Sequence, residues 1–241
     1  TGAIAAWRAG NPPHIVQIFE VGTATMMAAG PAIRPTHQLL AEAGVTLDPK
    51  QYLAGVRGYY SDTGGRLVSM PHNSSSAVMW INLDAFEKAG LSTSDLPKTW
   101  AQLRAATERL KAASATAYPM TTSWPTWAMF EQMASIHDVP FATQANGFEG
   151  MNAELRLTGP FFQRHVDFLL ALQREGLFRY GGRDNTADAL FVNGEAAISC
   201  MSSALRSRVE REAKFKWASV PLPYHADVIQ QPKNGVIGGA S

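Results

Sequence analysis

Short apolar runs alternate along the chain with segments whose apolar residues recur at helical spacing. Runs of β-branched and small apolar residues predict buried strands at residues 14–19, 77–81 and 196–200. Glu20 follows the first run directly, so we expect its carboxylate at the carboxyl end of a strand. Gly22 and Thr23 then open a helix that continues through Ala28.

Helical spacing and capping residues predict most of the other elements. Thr99 and Gln102 form a capping box, and glycine follows several of the segments as a helix terminator. The predicted helices lie at residues 1–10, 35–43, 84–90, 99–110, 162–176, 188–192 and 202–209. Helices and strands that alternate in this way predict an α/β architecture, and no internal repeat indicates a solenoid or a propeller.

The intervening stretches read as loops and turns. Residues 63–65 form the turn of a hairpin-like pair, and residues 71–76 form a polar loop ahead of the second strand. Trp124 and Trp127 lie in a loop rich in Ser, Thr and Pro. Residues 235–241 are strand-like, and we expect them to end before anything pairs with them.

The beginning of the chain reads as the last part of a helix. Residues 1–10 end in a helix-terminating glycine, but no capping residue starts the helix. We therefore expect further sequence before Thr1, and the lack of a signal peptide does not indicate the cytoplasm.

Composition narrows the class of protein. The 241 residues allow one large domain or two modest ones, and a formal net charge of +1 makes nucleic acid an unsuitable partner. The single cysteine, Cys200, cannot form an internal disulfide. No apolar run approaches the roughly 20 residues of a membrane-spanning helix.

Motifs for catalysis or metal binding are missing from the sequence. The six histidines are scattered and none pairs with a second ligand at zinc spacing. Cys200 lies in an apolar strand, which favours a buried, unreactive thiol. Gly181, Gly182 and Arg183 read as a plain loop rather than a phosphate cradle. We therefore expect no catalytic residue, metal or cofactor, and a protein that is not an enzyme.

Polar and aromatic residues at the ends of predicted elements suggest another kind of site. Each has an ordinary explanation, as a surface carboxylate, helix caps, packed aromatics or turn glycines. Together they suit a small polyol with an anionic end, because a carboxylate accepts hydroxyl protons and helix N-termini bind anions. The candidates are Glu20, Ser75 within 74–76, Trp124 and Trp127, Ser202, Ser203, Gly238 and Gly239.

Several motifs then indicate a family. EVGTATMM at 20–27, NSS at 73–75 and GGAS at 238–241 resemble the glycerol-3-phosphate-binding proteins of bacterial ABC importers. The segments at 82–91 and 97–100 resemble the wider maltose-binding-like group of solute-binding proteins. The resemblance spans essentially the whole chain.

The resemblance implies a periplasmic binding protein-like II fold, with two α/β lobes joined by a hinge and a ligand cleft between them. Residues 1–75 would form part of lobe I, residues 76–233 lobe II, and residues 234–241 a return strand into lobe I. It also implies a monomer in the periplasm, or lipid-anchored outside the cytoplasmic membrane, that delivers its solute to membrane permease subunits.

Site roles also follow from the resemblance. Glu20 would bind glycerol hydroxyls, Ser75 the phosphate or a hydroxyl, and Trp124 would stack over the glycerol. Ser203 and the Gly238 backbone would hold the phosphate, with Ser202 as a neighbour. The family's site also uses a Tyr before the position of Glu20, and a Tyr and an Arg well after the GGAS motif. These three positions lie outside this sequence, so we expect this chain to lack much of the anion affinity.

Two alternatives stay open at this point. A sugar- or oligosaccharide-binding protein of the same fold would use Trp124 and Trp127 equally well. A hydrolase of glycerophosphodiesters would need a metal cluster or a nucleophile and base pair, which the scattered histidines do not supply.

Overall fold

The computed structural model describes residues 2–150 and 152–241. The chain divides into two compact units. The first comprises the chain up to Ser75 together with Ile237–Ser241, and the second comprises Ser76–Val236. Residue 1 of the first predicted helix lies outside the described residues.

Helices of the first unit are short. They are α1 (Gly2–Arg8), α2 (Thr23–Met27), α3 (Thr36–Glu42) and α4 (Ala54–Tyr59), with 3₁₀ turns at Glu20–Gly22, Gly30–Ala32 and Pro49–Gln51. The helices of the second unit are α5 (Leu83–Lys88), α6 (Trp100–Ala112), α7 (Gln132–Ile136), α8 (Thr143–Asn146), α9 (Pro160–Arg174), α10 (Asp188–Val192) and α11 (Arg206–Glu212). A π-helix at Thr126–Glu131 precedes α7, and 3₁₀ turns lie at Thr93–Asp95, Asn185–Ala187 and Ser203–Leu205.

Six strands were found in the described residues. They are β1 (Asn73–Asn82), β2 (Tyr118–Thr122), β3 (Phe178–Tyr180), β4 (Ala196–Ser202), β5 (Trp217–Val220) and β6 (Ile237–Ala240). The strand order is β3-β2-β4-β1-β5. β2 runs parallel to β3 and β4, whereas β1 runs antiparallel to β4 and β5. β6 belongs to the first unit and pairs with β1.

Alternating residues of β1 enter two different apolar clusters. Met79 and Ile81 pack into the main core of the second unit, which also contains Trp100 of α6. Trp80 packs instead with Phe191 and other residues of α10 and α11. Because successive side chains of a strand point to opposite faces, helices cover both faces of the sheet. The first unit has its own small cluster, formed by Val56, Tyr60 and Leu67.

Most predicted helices are confirmed, including the capping box of α6, in which Thr99 and Gln102 bond to each other's backbone N–H groups. Gly10, Gly90 and Gly176 adopt positive φ after their helices, as expected of helix terminators. The longest helix of the described residues, α9, has 15 residues, and none there is long and apolar enough to cross a bilayer.

Several strand predictions are wrong. Residues 14–19 form no strand, because only Ile18 and Phe19 bond to the end of the chain, at Ser241 and Ala240. Residues 73–76, expected as a loop, begin β1. Residues 235–241, expected without a partner, supply β6. The hairpin around residues 63–65 is reduced to one bridge between Ser61 and Leu67.

Candidate functional site

The second unit brings three of the predicted residues to one edge of its sheet. β2 and β4 are parallel and in register at Thr122 and Cys200, so their carboxyl ends lie side by side. Trp124 follows β2, and Ser202 and Ser203 lie at the end of β4. Ligands of α/β proteins bind at such carboxyl ends, which makes this edge a candidate surface.

Ser202 and Ser203 have different partners at that edge. The Ser202 hydroxyl accepts a hydrogen bond from the Ala204 N–H at 3.1 Å and so caps the following turn. The Ser203 hydroxyl accepts one from the Ser76 N–H at 3.1 Å, which ties the end of β4 to β1. Ser202 is therefore chiefly a cap, whereas the Ser203 hydroxyl still has a proton to donate.

Trp124 is held with its side chain partly in solvent. It has a φ of +50°, an unusual conformation for a residue other than glycine. Its N–H donates to the Asp184 carbonyl at 3.0 Å, and its carbonyl accepts from the Ala128 N–H at 2.8 Å. The side chain remains 40% exposed. This fixed backbone presents an indole face that can stack on a ligand.

Trp127 lies in the π-helix and not in the predicted loop. Its side chain packs against the main core, and the two tryptophans thus have different roles. Gly181 and Gly182 form the expected plain loop. A Cβ on Gly181 would lie 2.4 Å from the Ala187 Cβ, so packing against Ala187 explains this glycine.

The first unit gathers Glu20, Ser75 and Gly238 around β6. The Glu20 carboxylate is buried, and its Oε2 accepts a hydrogen bond from the Gly239 N–H at 2.8 Å. The Ser75 hydroxyl donates to the Gly238 carbonyl at 3.0 Å. Three side chains or backbone groups predicted from separate motifs therefore lie along one short strand.

The environment of Glu20 acts on its ionisation in two directions. Burial raises the pKa of the carboxyl, and the Gly239 N–H bond partly offsets this by stabilising the carboxylate. A carboxylate that is shielded from water and fixed at one oxygen is well suited to accept hydrogen bonds from solute hydroxyls.

Two residues of this region were not recognised from the sequence as contributors. Asn73 fixes β6 through its side chain, whose Oδ1 accepts the Ala240 N–H at 3.0 Å. Tyr60 is fully buried, and burial together with the Glu20 charge raises its pKa to about 12. Asn73 lies in the motif at 73–75 that carries the family resemblance, and this was the available signal for it.

Three histidines that are far apart in sequence come together in the second unit. His165 Nδ1 lies 3.1 Å from His225 Nε2, and His137 Nε2 accepts a hydrogen bond from the His225 N–H at 2.8 Å. Spacing along the sequence did not predict this cluster. No group of three ligands that could hold a metal ion was found in the part of the chain that the structure describes.

Cys200 is fully buried, and burial raises the pKa of its thiol to about 12. A thiol with so high a pKa forms little thiolate at neutral pH and is a poor nucleophile. The interpretation of Cys200 as an unreactive core residue is confirmed.

A model of the bacterial extracellular solute-binding protein family matches residues 3–232. The chain belongs to this family. Its members bind solutes and are not enzymes, in agreement with the interpretation of the sequence. The fold-class prediction is also confirmed, because solved solute-binding proteins of the maltose-binding-like fold superimpose on the chain.

The resemblance noted in the motifs extends to named relatives. The chain is 39% identical over 242 residues to the sn-glycerol-3-phosphate-binding periplasmic protein UgpB of Salmonella paratyphi A, with 100% of this chain and 55% of the relative covered. It is 39% identical over 238 residues to UgpB of Rhizobium meliloti, covering 99% of this chain and 55% of that protein. The chain thus spans about half the length of the curated relatives it matches.

Among solved structures, UgpB from Mycobacterium tuberculosis in complex with glycerophosphocholine matches with a TM-score of 0.77 at 17% identity, covering 99% of this chain and 59% of that chain. A solute-binding protein of an ABC transporter from Thermotoga lettingae, bound with α-D-tagatose, matches with a TM-score of 0.76 at 16% identity, covering 99% and 60%. At these identities the matches establish the fold alone.

Proposed function

We propose that this chain is part of the solute-binding component of an ABC importer for sn-glycerol 3-phosphate or glycerophosphodiesters such as glycerophosphocholine. The observation that carries the proposal is the buried Glu20 carboxylate, fixed by the Gly239 amide beside Gly238 and Ser75. The identity of about 39% to proteins named for glycerol 3-phosphate binding supports the same solute class.

The proposed contacts are derived from the residues of each unit taken by itself. Glu20 accepts hydrogen bonds from the solute hydroxyls, and Ser75 and the Gly238 backbone bind its polar groups. Trp124 stacks on the carbon chain, and Ser203 donates to the phosphate, with Ser202 as its capping neighbour. The near-neutral net charge of +1 is compatible with this arrangement, because local donors and not a broad basic surface would hold the anion.

We further propose that the two units correspond to the two lobes of such proteins. The chain would pass between lobes after Ser75 and again after residue 233, a few residues before the division of the two units at Val236 and Ile237. The protein would act as a monomer in the periplasm, or anchored by a lipid outside the cytoplasmic membrane, and would deliver its solute to the membrane permease subunits. Neither a cofactor nor a metal is part of this proposal.

Isothermal titration calorimetry on the full-length protein tests the proposal. The ligands are glycerol 3-phosphate, glycerophosphocholine, glycerol, inorganic phosphate and maltose. We expect the first two to bind and the other three to bind far more weakly, since a site for both ends of the solute loses contacts with either fragment. Binding of maltose alone would support the sugar-binding alternative, and hydrolysis of glycerophosphocholine would support the enzyme.

A further inference from the structure

Trp124 has a backbone conformation that its own preferences do not favour. Its φ of +50° lies in the left-handed region, where a residue with a bulky side chain is strained. Such strain persists only where surrounding contacts fix the backbone, and it is common at functional sites. The contacts that fix Trp124 therefore decide where its indole points.

Residues 184–188 contact both Trp124 and the residue before it. The Trp124 N–H donates a hydrogen bond to the Asp184 carbonyl at 3.0 Å. The Ser123 hydroxyl donates one to Asp188 Oδ1 at 2.5 Å. Ser123 is fully buried, so this bond is shielded from water. One short segment thus holds two successive residues at the point where the backbone becomes left-handed.

The segment that holds Trp124 is itself fixed. The Asp184 side chain accepts the Thr186 N–H at 2.9 Å and caps the 3₁₀ turn that follows. Ala187 is fully buried. Asp188 begins α10, and Phe191 of that helix packs into an apolar cluster of the second unit. The Asp188 carboxylate is therefore a firmly placed acceptor for the Ser123 hydroxyl.

We propose that Ser123 and Asp188 are positioning residues for Trp124, because their hydrogen bond holds its left-handed backbone and thereby directs the indole toward the solute. Neither residue needs to touch the solute. The effect on Trp124 follows from contacts within the second unit, whereas the effect on affinity rests on the proposed function.

Asp188 also has a simpler explanation as an acidic residue in the first turn of α10, where a negative charge stabilises a helix. That role predicts a change in stability and no change at Trp124. Asp188→Asn separates the two roles, because its amide oxygen can still accept the Ser123 hydroxyl although the charge is lost.

The test compares Ser123→Ala, Asp188→Ala and Asp188→Asn with the matched control Thr122→Val in the full-length protein. Thr122 is also fully buried and precedes Ser123, but its hydroxyl donates to the Cys200 carbonyl at 2.7 Å. The tryptophans are labelled with 5-fluorotryptophan, and the ¹⁹F signal of Trp124 is assigned by its loss in Trp124→Phe. Affinity for glycerophosphocholine is measured by calorimetry.

Ser123→Ala and Asp188→Ala should each shift the ¹⁹F signal of Trp124. They should also weaken binding of glycerophosphocholine by about tenfold, on the scale of a lost hydrogen bond to a charged group. Asp188→Asn should keep the wild-type signal and most of the affinity, and Thr122→Val should alter neither quantity. The double variant Ser123→Ala/Asp188→Ala should resemble either single variant, because both remove the same bond.

A Trp124 signal that is unchanged in Ser123→Ala and Asp188→Ala would overturn the proposal, as would an equal shift in Thr122→Val. A shift in Asp188→Asn as large as in Asp188→Ala would assign Asp188 to the helix terminus instead. Should Ser123→Ala not fold, Asp188→Ala removes the same bond from its half-buried side and decides alone.

The two readouts keep the positioning role and the proposed function apart. If the wild type does not bind glycerophosphocholine, the proposed function fails, and the ¹⁹F signals still decide whether Ser123 and Asp188 position Trp124. If the wild type binds and the variants shift the signal without losing affinity, the role of the pair in solute binding is contradicted.

Discussion

The Glu20 carboxylate and the Gly239 amide are joined by a hydrogen bond of 2.8 Å across a sequence separation of 219 residues. Gly239 has no room for a side chain, since a Cβ there would lie 2.3 Å from the Asn73 carbonyl oxygen. The close approach of two backbone segments therefore brings the amide to the carboxylate. The orientation of the Glu20 carboxylate therefore depends on the position of β6, which carries the Gly239 amide.

Gly239→Ala should destabilise the first unit and weaken solute binding together. The added methyl group must displace β6 from Asn73, at a cost of about 1–3 kcal/mol, and the displaced amide no longer fixes Glu20. Denaturant unfolding and calorimetry measure the two effects. Gly55→Ala in α4 is the control, because nothing lies within 4 Å of its added Cβ. That variant should be neutral or slightly stabilising.

Glu20→Gln should weaken binding of glycerophosphocholine by about 1–3 kcal/mol, since the amide keeps the shape of the carboxylate but not its charge. Burial raises the pKa of Glu20, so the wild type should lose affinity as the carboxylate becomes protonated on acidification. The variant should lose this part of the pH dependence. Calorimetry between pH 5 and 8 measures both.

The control for Glu20 is Glu42→Gln. Glu42 lies on α3 of the same unit and forms an exposed ion pair with Arg34. Its removal should leave affinity unchanged, because exposed pairs contribute little. Equal affinities of wild type and Glu20→Gln at every pH would remove Glu20 from the site.

Trp124→Ala should weaken binding by about 1–3 kcal/mol through loss of stacking, with little effect on stability because the indole is already partly in solvent. Trp7→Ala is a matched control, since Trp7 is 41% exposed and Trp124 is 40% exposed. Calorimetry and thermal unfolding of both variants separate binding from stability. A loss of affinity as large in Trp7→Ala would show that the effect is not local to Trp124.

Ser202 and Ser203 should respond differently to the same substitution. Ser202→Ala removes the cap on Ala204 and should lower the free energy of unfolding by about 0.5–2 kcal/mol, with affinity nearly unchanged. Ser203→Ala removes the acceptor of the Ser76 N–H and the proposed donor to phosphate, so affinity should fall more than in Ser202→Ala. The reverse ranking of affinities would assign the phosphate contact to Ser202.

The sequence predicted local features well, because caps and terminators act over a few residues. Thr99, Gln102 and Gly176 marked their helix ends correctly. It failed where a strand depends on a distant partner. β2 reads YPMTT and carries no apolar alternation, yet it is buried because β3 and β4 flank it.

Residues 14–19 show the converse case. They have the composition of a buried strand, but Ile15 is 90% exposed, since strand pairing in this segment is limited to its last two residues. The candidate site shows the same contrast between local sequence signals and long-range contacts. Motifs predicted which residues to consider, whereas the contacts of Glu20 with Gly239 and the neighbourhood of Tyr60 depend on tertiary packing.

The histidine cluster predicts a loss of stability on mild acidification. Burial is the main cause that lowers the pKa of His165 to about 3 and of His225 to about 4. In the unfolded chain the histidines become protonated near pH 6.5. In the folded state His165 and His225 become protonated only at lower pH. The unfolding free energy should therefore be fully present above about pH 6.5 and fall toward pH 4, with a slope approaching about 1.4 kcal/mol per pH unit for each histidine.

Denaturant unfolding between pH 4 and 7, followed by tryptophan fluorescence, measures this slope. Trp100 packs edge-on against His165, so it reports on the cluster. His165→Phe should reduce the slope, because it removes one titrating group and retains an aromatic ring beside Trp100. His14→Gln, at an exposed position, is the control and should leave the slope unchanged. A slope that is the same in wild type and His165→Phe would assign the acid sensitivity to other groups.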